Sequence, residues 1–170
     1  NLPQSLRVAF DLDGVEVEDA ALQLFVDDFQ APVWGTRYQA RINGVEVPLL
    51  ATTLNALDQT GPIGKLVTLQ LLPEHLALLR EGKLEVAIDD PLNDVADGFA
   101  IDFARLLVNP KPWRYTGAIH GVAVDKATGE ALAGVLVSAG NTRQATTALD
   151  GRFVLEGVPA GLAVVSGSHP

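Results

Sequence analysis

Residues 37–50 read RYQARINGVEVPLL, with Asn43-Gly44 set between two runs of alternating apolar and polar residues: Tyr38, Ala40 and Ile42 before it, Val45, Val47 and Leu49 after it. Asn-Gly tolerates the positive φ angles of a two-residue type I′ turn, whose twist matches that of antiparallel strands. The stretch therefore predicts a β-hairpin, and its period of two marks strands with one buried face. The same alternation recurs at Leu6, Val8 and Phe10, at Leu22, Leu24 and Val26, at Val67, Leu69 and Leu71, and at Leu84, Val86 and Ile88. A last strand is expected to carry Phe99, Ile101 and Phe103 on one face and Ala100, Asp102 and Ala104 on the other. One short helix interrupts the pattern in PEHLALLREG, where Pro73 opens a turn, Leu76 and Leu79 share a face, and Gly82 ends it. Two packed sheets are the economical way to bury such strands.

Composition agrees with an all-β chain. In 170 residues, 16 glycines and 10 prolines interrupt too often for long helices, while 48% hydrophobic residues supply a core. No apolar run approaches the roughly 18 residues of a membrane span, and nothing at Asn1 resembles a signal segment, so the chain reads as a piece already processed or cut from a larger protein. The absence of cysteine removes disulfides, thiolate metal sites and cysteine nucleophiles. The net charge of −9 is concentrated before Thr116, where 17 Asp and Glu face 9 Lys and Arg, against 4 and 3 from there on. Such a surface repels phosphate backbones and anionic lipid, which argues against nucleic-acid partners and membrane insertion and leaves cations or neutral ligands.

Two prolines in NPKPWRYTG, residues 109–117, make a stiff connector. The expected division is an acidic sandwich over residues 1–110, a linker over 111–116 and a second sandwich over 117–170. Trp113 and Tyr115 in the connector are expected to pack at the junction. Beyond it, Thr128-Gly129, Asp150-Gly151 and Val158-Pro159-Ala160-Gly161 read as three turns joining at least four strands.

The run GAIHGVAVDKATGEALAGVLVSAG followed by TTALDGRFVLEGVPAG is similar to the carboxypeptidase regulatory-like domain, a prealbumin-like sandwich of exported proteins; the matching residues include Gly121, Asp125, Gly129, Asp150, Gly151, Phe153, Pro159 and Gly161. The resemblance implies a folding or spacer role without catalytic residues. Residues 5–109 resemble the galactose-binding-like jelly rolls on which many carbohydrate-binding modules are built, through INGVEV, PEHLALLREGKLEVAI and GFAIDFARLLVNP, with Gly82, Asp102, Phe103 and Leu106 at matching places. That resemblance implies a sugar site and a structural calcium ion. Together they imply an all-β pair of β-sandwiches in tandem, the first jelly-roll-like with one short helix, belonging to a larger exported bacterial protein.

Chemistry is concentrated in carboxylates. Asp27-Asp28, Asp89-Asp90, Asp94, Asp97 and Asp102 form the dense sets, and neighbouring carboxylates suit either a hard cation or paired acid and base catalysis. Asp27 and Asp28 point to opposite faces unless the strand ends at them. Asp102, flanked on its face by two alanines, needs a partner if buried: a metal, Arg37 or Arg41. The expected calcium set is Asp27, Asp28, Asp89, Asp90 and Asp102. Trp34, in the Pro- and Gly-bounded QAPVWGTRY, is either a sugar platform with Arg37 beside it or a plug for one end of the core. His75, His120 and His169 have no metal-ligand spacing, and neither a nucleophile elbow nor a P-loop is present, so no catalytic residue is expected.

Two functions follow as expectations. One is a non-catalytic accessory module that binds a polysaccharide or glycan beside other domains of the same polypeptide; the other is a structural spacer with no small-molecule ligand. The second sandwich reads as incomplete after LAVVSGSHP, so its C-terminal edge is expected to be completed by further chain or by β-augmentation from another polypeptide.

Overall fold

Asn43 and Gly44 adopt φ 47° and 82°, as a type I′ turn requires. The computed structural model describes residues 4–9, 12, 14–61, 63–79, 82–91, 99–110, 115–140 and 143–169. Phe10, Asp94, Asp97 and Trp113, assigned above to a strand, an acidic loop and a connector, lie outside the described residues. The chain falls into two compact units, Asn1–Pro110 and Lys111–Pro170, each built mainly from antiparallel strands.

The first unit contains β1 (Gln4–Ala9), β2 (Ala20–Asp27), α1 (Ala31–Trp34), β3 (Gln39–Ile42), β4 (Val45–Glu46), α2 (Pro48–Asn55), β5 (Lys65–Gln70), α3 (Pro73–Leu79), β6 (Lys83–Asp89) and β7 (Ala100–Val108). One sheet has the order β1-β6-β3-β4 and the other β5-β2-β7. The alternating residues face the core as expected: Leu22, Leu24 and Val26 of β2, Val67 and Leu69 of β5, Ala40 and Ile42 of β3, and Leu84, Val86 and Ile88 of β6 are all buried.

The expected single helix becomes three. The second hairpin strand stops after Glu46, because Pro48 has no N–H for a ladder but needs none at the first helical position. From there Leu50, Leu54 and Leu57, spaced four and three apart, turn one buried stripe inward, and α2 packs on both β3 and β5. In α3 the backbone N–H of Leu72 donates to His75 Nδ1 at 3.3 Å, one half of a capping box with an imidazole in the usual place of Glu or Gln, while His75 N–H donates to the backbone carbonyl of Leu72.

Loops are held by side-chain amides, which carry the donor and acceptor of a peptide group and can stand in for one. Asn55 exchanges two 2.8 Å hydrogen bonds with the backbone of Tyr38. Asn109, at φ 44°, accepts from Glu18 N and Asp19 N and donates to Glu16 O, which closes the end of β7. Gln59 is fully buried: its Oε1 accepts from Phe29 N, and its Nε2 donates to Val26 O and Ile63 O.

The second unit contains β8 (Thr116–Val122), β9 (Leu136–Ala139), β10 (Arg143–Thr146), β11 (Arg152–Pro159) and β12 (Val165–Ser168), in sheets of order β10-β9-β12 and β11-β8. Val135, Val137, Ala139, Leu155 and Val158 form its core, with Ile119, Leu132 and Phe153 packed against them. The Asp150-Gly151 turn carries the chain from one sheet to the other, since β10 pairs with β9 and β11 with β8.

Around the Thr128-Gly129 turn, Asp125 Oδ1 accepts from the backbone N–H groups of Thr128 and Ala127, and these hold its carboxyl below the ordinary carboxylate value. A lowered folded-state pKa means that the contribution of Asp125 to stability is present above its unfolded pKa of about 3.9 and is lost as pH falls through the lower folded value. Asp125→Asn keeps an acceptor oxygen without the titration. Urea midpoints of the second unit are therefore expected to be higher in the parent than in Asp125→Asn at neutral pH and to converge at strongly acidic pH, the parent falling more steeply.

Candidate functional site

β2 ends at Asp27, and the backbone turns aside at Asp28, φ 63°, before Gln30 bridges Asp58. Asp27 Oδ1 accepts from the N–H groups of Asp28 and Ile63, while Asp28 Oδ1 accepts from Gln30 Nε2 at 2.7 Å. These carboxylates thus fasten the turn and the residue-63 loop to the strand end. Asp102 lies near Asp27 in the same sheet, whereas Asp89 ends β6 in the other and is followed by the buried Asp90. Among the described residues no three carboxylates or imidazoles gather as a metal centre requires.

Past that turn, Gln30 leads into α1, with Pro32 in its first turn and Gly35 closing it in the left-handed conformation. Ala31 and Tyr38 are buried on either side of the turn, but Trp34 is 50% exposed beside Val33 at 51%, and Arg37 is exposed. Other rings close this end of the core. Phe29 stacks on Phe99 at 4.6 Å between centroids, and Tyr38 meets both edge-on at 5.1 and 5.7 Å. With that place filled, the indole stands on a short turn braced by Gln59 before it and by the Asn55–Tyr38 pair after it.

A second group was not visible in the sequence. Val26 pairs with Ile101 and Phe25 with Phe103, so Asp102 is the extra residue of a β-bulge. The bulge corrects two expectations. Asp102 is exposed rather than buried between alanines, and Phe103 leaves the core row of Ile101 for the outer face. There Phe103 stacks on Phe25 at 5.6 Å, and Arg105 donates through Nε and Nη2 to Gln23 Oε1 at 3.0 and 2.6 Å. Gln23, only 6% exposed, donates in turn to Thr68 Oγ1, so a polar row across β5, β2 and β7 positions the guanidinium beside Phe103. Arg41, one suggested partner for Asp102, pairs instead with Glu46 at 3.2 Å.

No family model, curated protein or solved structure matches this chain. Among the described residues no helix is long and apolar enough to cross a membrane.

Proposed function

We propose that the first unit binds carbohydrate at the α1 turn, and that the two units act as a non-catalytic accessory pair within an exported protein. The observation that carries this reading is the half-exposed indole of Trp34 on a braced turn whose neighbouring core end is already closed by Phe29, Tyr38 and Phe99. An indole face excludes water from the C–H face of a sugar ring, and a fixed platform loses little entropy when a ligand lands on it. Arg37, three residues on and exposed, supplies donors for sugar hydroxyls. The acid-rich surface favours a neutral glycan. Structural calcium has no assembled donor set among the described residues and forms no part of this reading.

The second unit takes the structural part. Among its described residues the buried side chains are apolar apart from Thr147, which accepts from Val135 N and donates to Leu132 O. That favours a spacer, and a chain that binds no glycan anywhere would leave the spacer reading for both units.

A glycan array probed with the intact chain is expected to give ligands of weak, sub-millimolar affinity. Trp34→Ala should lower that affinity at least tenfold, about 1.4 kcal/mol, with unchanged melting, while Phe103→Ala leaves it intact. Loss in Phe103→Ala alone would move the site to the Arg105 face, and an empty array would end the carbohydrate reading.

A further inference from the structure

Gln23 lies in the middle strand of the β5-β2-β7 sheet and is 6% exposed, so its amide must be matched at both ends. Nε2 donates to Thr68 Oγ1 at 3.1 Å, and Oε1 accepts from Nε and Nη2 of Arg105. Both of those donors belong to one edge of the guanidinium, and the rigid fork is thereby fixed in orientation. Its other edge stays open. There one N–H of Nη1 and one of Nη2 run parallel, at the spacing of two carboxylate oxygens. The charge is open as well. Among the described residues no carboxylate pairs with Arg105, not even the neighbouring Asp102, although acids outnumber bases 17 to 9 before Thr116.

An apolar surface adjoins this fork. Phe103 is 43% exposed, stacks on Phe25 at 5.6 Å between centroids, and has the Arg105 guanidinium 6.0 Å from its ring centre. Leu66, paired with Phe25 from the other side, shares the face and is half-buried. A braced ring offers apolar contact at little loss of entropy, and it screens one side of the guanidinium from water, which strengthens a hydrogen bond to the open edge. The acid-rich surroundings set the charge of the ligand. A dianion such as phosphate is repelled twice over, whereas a monoanion with an apolar body is repelled once and gains the ring contact.

We propose that Phe103 and Arg105 form a binding site for a small aromatic carboxylate, its two oxygens on the Nη1–Nη2 edge of Arg105 and its ring against Phe103. Gln23 and Thr68 are positioning residues, which hold the guanidinium and do not touch the ligand. The site shares no residue with the α1 turn and does not depend on sugar binding there.

The test is a titration of the intact chain with benzoate, followed through the Arg105 Nε–H resonance and the amides of β2 and β7. Saturable shifts are expected around Phe103 and Arg105, with a dissociation constant in the millimolar range, as suits a ligand of about ten heavy atoms. Benzamide keeps the ring without the charge, and acetate keeps the charge without the ring; each should bind at least tenfold more weakly. Arg105→Gln and Phe103→Ala should each weaken benzoate binding at least tenfold, Arg105→Lys should not restore it because an ammonium has no fork, and Trp34→Ala should leave it unchanged. Gln23→Glu serves if either variant fails to fold: it supplies a carboxylate to Arg105 from within, the Thr68 hydroxyl can turn to donate to it, and benzoate binding should vanish with melting retained. Benzamide or acetate binding as tightly as benzoate, shifts that map elsewhere, or shifts that never saturate would overturn the proposal.

Discussion

Gln59→Ala is expected to destabilise the first unit by about 3–5 kcal/mol. The substitution leaves Phe29 N–H, Val26 O and Ile63 O without the amide that satisfies them, and orphaned buried polar groups cost about 1–3 kcal/mol each. A domain of ordinary stability holds about 5–15 kcal/mol, so the loss approaches unfolding. Gln59→Glu should be at least as harmful at neutral pH, since a carboxylate would replace the donor that faces two carbonyl oxygens. Its deficit should shrink on acidification, as a protonated Glu regains one donor. Urea unfolding of the intact chain followed by amide resonances of the first unit would measure this, and a loss below 1 kcal/mol would show that water can take the place of the amide.

Gly151→Ala should unfold the second unit while sparing the first. Gly151 has φ 74°, and a Cβ there would lie 2.5 Å from the carbonyl oxygen of Ala123 and 3.2 Å from Ala131 Cβ. Neither is the end of a flexible side chain, so backbone would have to move. Gly129 is the control: its φ is 75° and a Cβ would meet nothing within 4 Å. Gly129→Ala is expected to cost only the left-handed conformation, about 1–2 kcal/mol, whereas Gly151→Ala adds the clash in a unit too small to have stability in reserve. Equal melting of the two variants would mean that the Asp150-Gly151 turn relaxes freely.

Wherever a pattern is local, the sequence was readable. Asn43-Gly44 specifies its own turn, and Leu84, Val86 and Ile88 declare a buried face by spacing alone. The helix at Pro48 carries a local signal too, the proline followed by Leu50, Leu54 and Leu57, but the strand alternation through Val47 and Leu49 overlaps and masks it. The bulge at Asp102 had no local mark. FAIDFAR alternates without a break, and only the register against β2 shows that one residue is extra, so Phe103 and Arg105 could not be placed on the outer face. Long-range hydrogen bonds were equally hidden. Nothing about Gln59 distinguishes it in sequence from an exposed glutamine, and Asp27 and Asp28 look like cation ligands because their partners are not legible: the backbone N–H of Ile63, 36 residues on, for Asp27, and the Gln30 side chain for Asp28.

Exposure of Trp34 could not be decided from its own neighbours either, since it depends on Phe29, Tyr38 and Phe99 filling the core end. Two-dimensional proton–nitrogen spectra of the intact chain, titrated with the strongest ligand from the array, test the carbohydrate account most directly. The indole Nε1–H of Trp34 and the amides of residues 31–37 are expected to shift together and saturably, with the second unit unmoved. Shifts confined to Phe103, Arg105 and their strand neighbours, or to the second unit, or none at millimolar glycan, would contradict it.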